Sequence, residues 1–275
     1  MYSAFRQIAV LLCCCCAATA ISARPFRVCA DPDNLPFSNE KQQGFENELA
    51  KLVAHDLGEP LQFVWEPQHG DFLRRTLTAG LCDAVMGLPS SLDEAEMTVP
   101  YYRSTYVFVT RDDRKLAIHS FDDPGLRSLH IGVQLIGHDS SSVPPAQVLF
   151  NKGLASNIVW YRLLPDFSHP NPPVELIDAV ERGDIDMAIA WGPMAGFFAK
   201  HSSVPLKVTP VSPQMVDSIP LTFQISMGVR HGQDDLRARL NTVIQHRKAA
   251  INSILQKYGV PTPGTADSPK ITLGR

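Results

Sequence analysis

The 275-residue chain predicts an α/β fold of two similar lobes, each a mainly parallel sheet flanked by helices, joined by two hinge crossings. Three observations predict it. The order strand, loop, helix, strand, helix, strand occurs twice. A stretch rich in aromatic and β-branched residues follows the first copy, and a strand with a long helical pattern follows the second. Alternating strands and helices call for parallel pairing, because each crossover packs a helix back onto the sheet.

Taken in chain order, the first segment is one to be removed. Arg6 precedes an unbroken apolar or small stretch from Ile8 to Ile21, closed by Ala18 and Ala20 in A-x-A spacing. That stretch is shorter than the roughly 20 residues that span a bilayer, so residues 1–23 read as a signal peptide cut after Ala20 or Ala23 rather than as an anchor. The run Cys13 to Cys16 raises a lipoprotein alternative, but the residues before each cysteine are not the usual small ones.

The first copy then runs from strand Phe26 to Ala30, through the turn-rich loop Asp31 to Gly44, to a helix over Phe45 to Leu57. Leu49, Leu52 and Val53 share one face of that helix, and Gly58 is placed to cap it. Strand Leu61 to Trp65, helix Phe72 to Ala79 and strand Asp83 to Gly87 complete the copy. The second has strand Leu129 to Gln134, a loop of Gly, Ser and Pro, helix Ala146 to Lys152, strand Ile158 to Leu163, helix Val174 to Arg182 and strand Asp186 to Ala190. Pro100 to Arg111 is the crossing out and Phe223 to Arg230 the return strand. Asp234 to Tyr258 carries apolar residues at helical spacing, as one helix or two. Lobe 1 is therefore expected over 24–110 plus 223–261, lobe 2 over 111–222, and a mobile tail over 262–275.

Composition narrows the partners. The net charge is −3 and 19% of residues are charged, which gives no polyanion-binding or polybasic membrane surface, and nucleic acid is not an expected partner. Of the 6 cysteines, four lie in the signal, leaving Cys29 and Cys82 in an oxidising compartment. A disulfide is expected between them, with two buried free thiols as the alternative. Beyond the signal no apolar run is long enough to span a membrane.

A hinge between two lobes makes a cleft, and the loops at the carboxyl ends of the strands line it. Asp31, Asn34 and Phe37 lie on the first such loop, either as a ligand or partner wall or as a turn whose Asp and Asn cap their own backbone. Tyr101, Tyr102 and Arg103 begin the crossing and either line the cleft or pack a hinge. Ser140 and Ser141 precede a helix, where hydroxyls and backbone N–H groups suit an anion. Trp191 ends the second-lobe strand and either faces the cleft or seals the lobe. H-E-x-x-H, C-x-x-C and G-x-S-x-G are absent, the 9 histidines lack metal-ligand spacing, and the Asp31 loop has Pro36 and Gln42 where a calcium loop needs Gly and Glu. No catalytic or metal site is expected.

The segments RVCADPDNLPFSNEKQQGFENELA, PYYRSTYVFVTR, IGVQLIGHDSSSVPPA and DIDMAIAWGPMAGFFAK followed by ISMGVR resemble the quinoprotein-dehydrogenase-associated solute-binding proteins, the J proteins (MoxJ and XoxJ type) of methanol-oxidation gene clusters. The resemblance runs from about Phe26 to Pro261. It implies the type II fold of periplasmic binding proteins, a location in the periplasm, and no enzyme activity. It also implies an accessory role toward a PQQ-dependent alcohol dehydrogenase, through contact with its large subunit. The chain itself would bind no cofactor; PQQ and a metal ion would belong to the partner enzyme. Cys29, Cys82 and the cleft candidates match the family's words.

Ordinary amino-acid binders carry a T-x-x-R arginine for the ligand carboxylate, where this chain has Ser90-Ser91-Leu92-Asp93. They also carry an acidic residue where it has Trp191-Gly192. A zwitterion would be left with unpaired charges. The second functional reading is an importer's receptor for a small polar or aromatic solute that is not a standard amino acid.

Overall fold

The structure, a computed structural model, describes residues 24–136, 141–162 and 172–261. The expected signal peptide, the tail and Ser140 lie outside the described residues. Strands are β1 (Phe26–Ala30), β2 (Leu61–Trp65), β3 (Ala84–Pro89), β4 (Tyr102–Arg111), β5 (Ile131–Ile136), β6 (Ile158–Arg162), β7 (Met187–Trp191), β8 (Leu206–Pro210) and β9 (Thr222–Val229). Helices are α1 (Phe45–Leu57), α2 (Pro144–Asn151), α3 (Glu175–Arg182), α4 (Gly192–His201), α5 (Asp234–His246) and α6 (Lys248–Lys257). Among the described residues no helix is long and apolar enough to cross a membrane.

One sheet runs through the molecule in the order β6-β5-β7-β4-β9-β3-β1-β2, with β8 added to β4. Its two halves repeat one plan. β1 pairs in parallel with β2 and β3, and β5 in parallel with β6 and β7. Each parallel triad is flanked by an antiparallel strand, β9 against β3 and β4 against β7. This is the mixed α/β fold the duplicated element order predicts.

β4 is the strand both halves share. Tyr102 to Thr105 pair with Ile225 to Thr222 of β9, whereas Tyr106 to Thr110 pair with Trp191 to Met187 of β7. Alternation along its second part sends Val107 and Val109 to the face covered by α3 and α4, and Phe108 to the opposite face with Ile131, Val133 and Leu149. In the first half, Phe45, Leu49 and Val53 of α1 meet Leu240 and Ile244 of α5 and Ile251 and Leu255 of α6. α1 stops at Gly58, whose left-handed φ of 69° ends the helix without a Cβ penalty.

Cys29 and Cys82 are bonded, with Cα atoms 5.6 Å apart, so the free-thiol alternative falls away. The bridge joins β1 to the approach to β3 and sits in a small core with Phe72, Leu77 and Val85. Beside it the Asp83 carboxylate accepts hydrogen bonds from Arg27 Nη2 (2.8 Å), Arg27 Nε (3.2 Å) and the Arg27 backbone N–H (2.9 Å).

Some local expectations differ. The helix over Phe72 to Ala79 turns in π form over Arg74–Thr78. Of the two alternatives for the C-terminal helical pattern, one helix or two, the structure has two, α5 and α6, divided at Arg247. α4 and β8 were not foreseen. α4 carries Pro193 and two glycines, which argue against a helix from local sequence, yet proline is tolerated in the first turn. Gly196 is there because the Gly259 backbone lies against it, where a Cβ would collide.

Candidate functional site

The loops at the carboxyl ends of both parallel triads converge where the halves meet, the usual place for a ligand in an open α/β sheet. They border an open cavity of ≈ 300 Å³ lined by Asn34, Phe37, Glu46, Gln68, Gly87, Pro89, Tyr106, Pro144, Trp191, Phe223 and Ile225. β3, β4 and β9 supply the floor, the loop after β1 and the N-terminus of α1 one wall, and the end of β7 with the start of α2 the other.

Three of the sequence candidates line this cavity: Asn34, Phe37 and Trp191. Trp191 sits between Tyr106 and Phe223, with ring centroids 5.4 Å and 5.9 Å away in edge contact. Phe37 packs at 5.4 Å on Phe45, the first residue of α1. Asn34 is held by a short hairpin of Asp33–Asn34 against Ser38–Asn39.

The other candidates are placed differently. Asp31 is buried and ties loops together: its Oδ1 accepts from the Asp33 N–H at 2.8 Å and its Oδ2 from the Gln68 N–H at 2.6 Å. Burial raises its pKa, against those two hydrogen bonds. Tyr101 and Tyr102 pack in the first-half core, ring centroids 5.0 Å apart, and Tyr101 Oη donates to the Met86 carbonyl at 3.0 Å. Burial keeps both phenols neutral. Arg103 hydrogen-bonds Gln214 Oε1. Ser141 lies in a two-residue strand, Ser141–Ser142, paired with β5.

The residue sequence reasoning missed is Glu46. It lies in the first turn of α1, only 8% exposed, and reaches the cavity beside Gly87. A Cβ at position 87 would collide with the Glu46 carboxylate, so the glycine is what lets that group lie against β3. Burial, and behind it the charge of Asp31, pushes the Glu46 carboxyl up to about 8. An acidic residue in a first helical turn reads as a macrodipole partner facing solvent. The signal that could have found it is periodicity, since positions 46, 49, 50 and 53 share one face of α1.

Comparison with known proteins gives the family. The model for bacterial extracellular solute-binding proteins, family 3, matches residues 26–261. The chain belongs to that family. Protein MoxJ of Methylorubrum extorquens is 31% identical over 251 residues, covering 87% of this chain and 82% of MoxJ. The crystal structure of the periplasmic binding protein XoxJ from Methylobacterium extorquens AM1 superposes with a TM-score of 0.72 at 37% identity, covering 87% of this chain and 99% of XoxJ. MxaJ from Methlophaga aminisulfidivorans MPT gives a TM-score of 0.75 at 26% identity over 86% of this chain and 100% of MxaJ. The resemblance to the MoxJ and XoxJ type is borne out over nearly the whole described chain. An ancestral cationic amino-acid solute-binding protein, 20% identical with a TM-score of 0.65, shares the fold.

Proposed function

We propose that this family 3 solute-binding protein is an exported, non-catalytic accessory protein of a PQQ-dependent alcohol dehydrogenase. It assists that enzyme's maturation or activity by contacting its large subunit in the periplasm. The observation that carries the reading is the end-to-end likeness to MoxJ, XoxJ and MxaJ. The cleft agrees with it, because no lysine or arginine is among the lining residues to hold the carboxylate of an amino acid.

Affinity capture from periplasmic extract of methanol-grown cells tests the proposal. The expected result is co-recovery of a dehydrogenase subunit, and a fall in dehydrogenase activity when the gene is deleted. Recovery of no such subunit, together with normal activity in the deletion strain, would overturn it. The alternative, a receptor feeding an importer for a small polar or aromatic solute that is not a standard amino acid, is favoured by a cavity whose walls include Phe37, Tyr106, Trp191 and Phe223.

A further inference from the structure

The cavity holds a carboxyl group with nothing to answer it. Glu46 is more than nine-tenths buried and lines the space, and among the described residues its carboxylate has neither a hydrogen-bond donor nor an ion-pair partner. One neighbour makes matters worse for a negative charge: Asp31 faces Glu46 from the loop after β1. The other titratable groups close by are Tyr101 and Tyr102, which burial keeps neutral, Tyr106, which lines the same cavity, and His69, which acts on Asp31 from the loop after β2 and favours its charged form. An ionised carboxylate in such surroundings needs a counter-charge, and no side chain lining the cavity supplies one. Around it stand Phe37, Trp191, Phe223 and Tyr106, whose ring faces attract cations and repel anions. The donors present, the amides of Asn34 and Gln68 and the Tyr106 hydroxyl, are too few to offset the two carboxyl groups for an anionic guest.

We infer that the cavity is a binding site for a small organic cation, a substituted ammonium with an apolar body, with Glu46 as its counter-ion and the aromatic walls as its cage. A volume of ≈ 300 Å³ sits at the small end of ligand sites and limits the guest to about the size of one ring with a charged head. The site stands whether or not a dehydrogenase is the macromolecular partner, because it rests on the cavity and not on the outer surface.

The inference carries a pH signature. Burial pushes the Glu46 carboxyl up to about 8, so near neutrality it holds a proton that a cationic guest must displace. Binding of a guest whose own charge is fixed therefore tightens with pH. Asp31, whose carboxyl burial raises against two backbone hydrogen bonds, faces the same group, while the tyrosines are kept neutral by burial; the part of the slope that Glu46→Gln removes is the part Glu46 carries.

The experiment is calorimetric titration of the disulfide-bonded mature protein with benzyltrimethylammonium from pH 6 to 9, with benzyl alcohol and benzoate as neutral and anionic counterparts. Affinity for the cation should rise about tenfold per pH unit up to about pH 8 and level beyond it, with close to one proton released at the acid end. Glu46→Gln should weaken binding at least tenfold and remove the slope. Trp191→Leu should weaken binding while keeping the slope, which decides the matter even should Glu46→Gln fold poorly. Equal binding of benzyl alcohol or benzoate, affinity flat or falling with pH, unchanged binding by Glu46→Gln, or silence toward the cation at millimolar concentration would each overturn the assignment.

Discussion

The Glu46 carboxylate lies directly against the backbone of Gly87, in space that any larger residue at 87 would claim. Helix α1 and strand β3 meet at this point through a polar group on one and a missing side chain on the other. Gly87→Ala should cost about 1 kcal/mol, the low end for overpacking because the end of the Glu46 side chain can shift, read from the urea midpoint. Glu46→Ala vacates the same space, so the double variant should recover at least about 0.5 kcal/mol relative to the sum of the singles. Strict additivity would refute the contact.

The same carboxyl makes stability depend on pH. Its pKa in the fold, about 8, lies above its value in the unfolded chain, so between the two the folded state holds more protons. The Glu46 contribution to stability should be fully present below about pH 4, decline as pH rises toward 8 by up to about 1.4 kcal/mol per unit, and level above. The N-terminal end of α1 works in the opposite sense, but a helix dipole is worth at most about 1–2 kcal/mol and burial outweighs it. Thermal melts from pH 5 to 9 should show Glu46→Gln with a flatter profile and the higher midpoint at pH 8 to 9.

The Cys29–Cys82 bridge closes a loop across a sequence separation of 53 residues. On the chain-entropy model that stabilises the fold by about 4 kcal/mol. A Cys29→Ser/Cys82→Ser protein should lose about that much in denaturant unfolding, and mass spectrometry of the unreduced protein should find no alkylatable thiol at either position.

Asp83 should be a point of acid sensitivity. Burial alone would raise its carboxyl, but the Arg27 hydrogen bonds and charge more than offset this and hold it below the usual range. A depressed carboxyl contributes stability above the unfolded value near pH 4 and loses it as pH falls through the folded one. Asp83→Asn should cost about 2 kcal/mol at pH 7 and remove that part of the acid transition. Arg24, which also reaches Asp83, is 72% exposed, and Arg24→Ala should stay within about 0.5 kcal/mol of the parent.

How much of this was legible in the sequence depends on whether the deciding physics is local. The parallel triads were legible because hydrophobic period and turn chemistry are written along the chain, and the disulfide because four of six cysteines fall in the leader-like segment. Tyr101 and Tyr102 were not decidable, since two adjacent tyrosines look alike whether they face a cleft or, as here, Phe45 and Met86. α4 was hidden by glycines that packing, not helix propensity, demands. Glu46 was hidden by its charge, although its spacing from Leu49 and Val53 placed it on the buried face.

The sharing of β4 has a consequence for the order in which the molecule can be completed. All the strands of the half that contains α3 and α4 lie in one unbroken stretch of chain, from β4 to β8. The half that begins the described chain waits for β9 to pair with β3, and for α5 and α6 to cover α1. Synthesis from the amino end therefore finishes the second-encoded half first and the first-encoded half last. The final step falls to Gly259 and Pro261, which settle on α4 and receive the Ser104 hydroxyl from β4 at 2.7 Å. On a chain made from its amino end, the half that begins the described residues thus stays unfinished until almost the last of them has emerged.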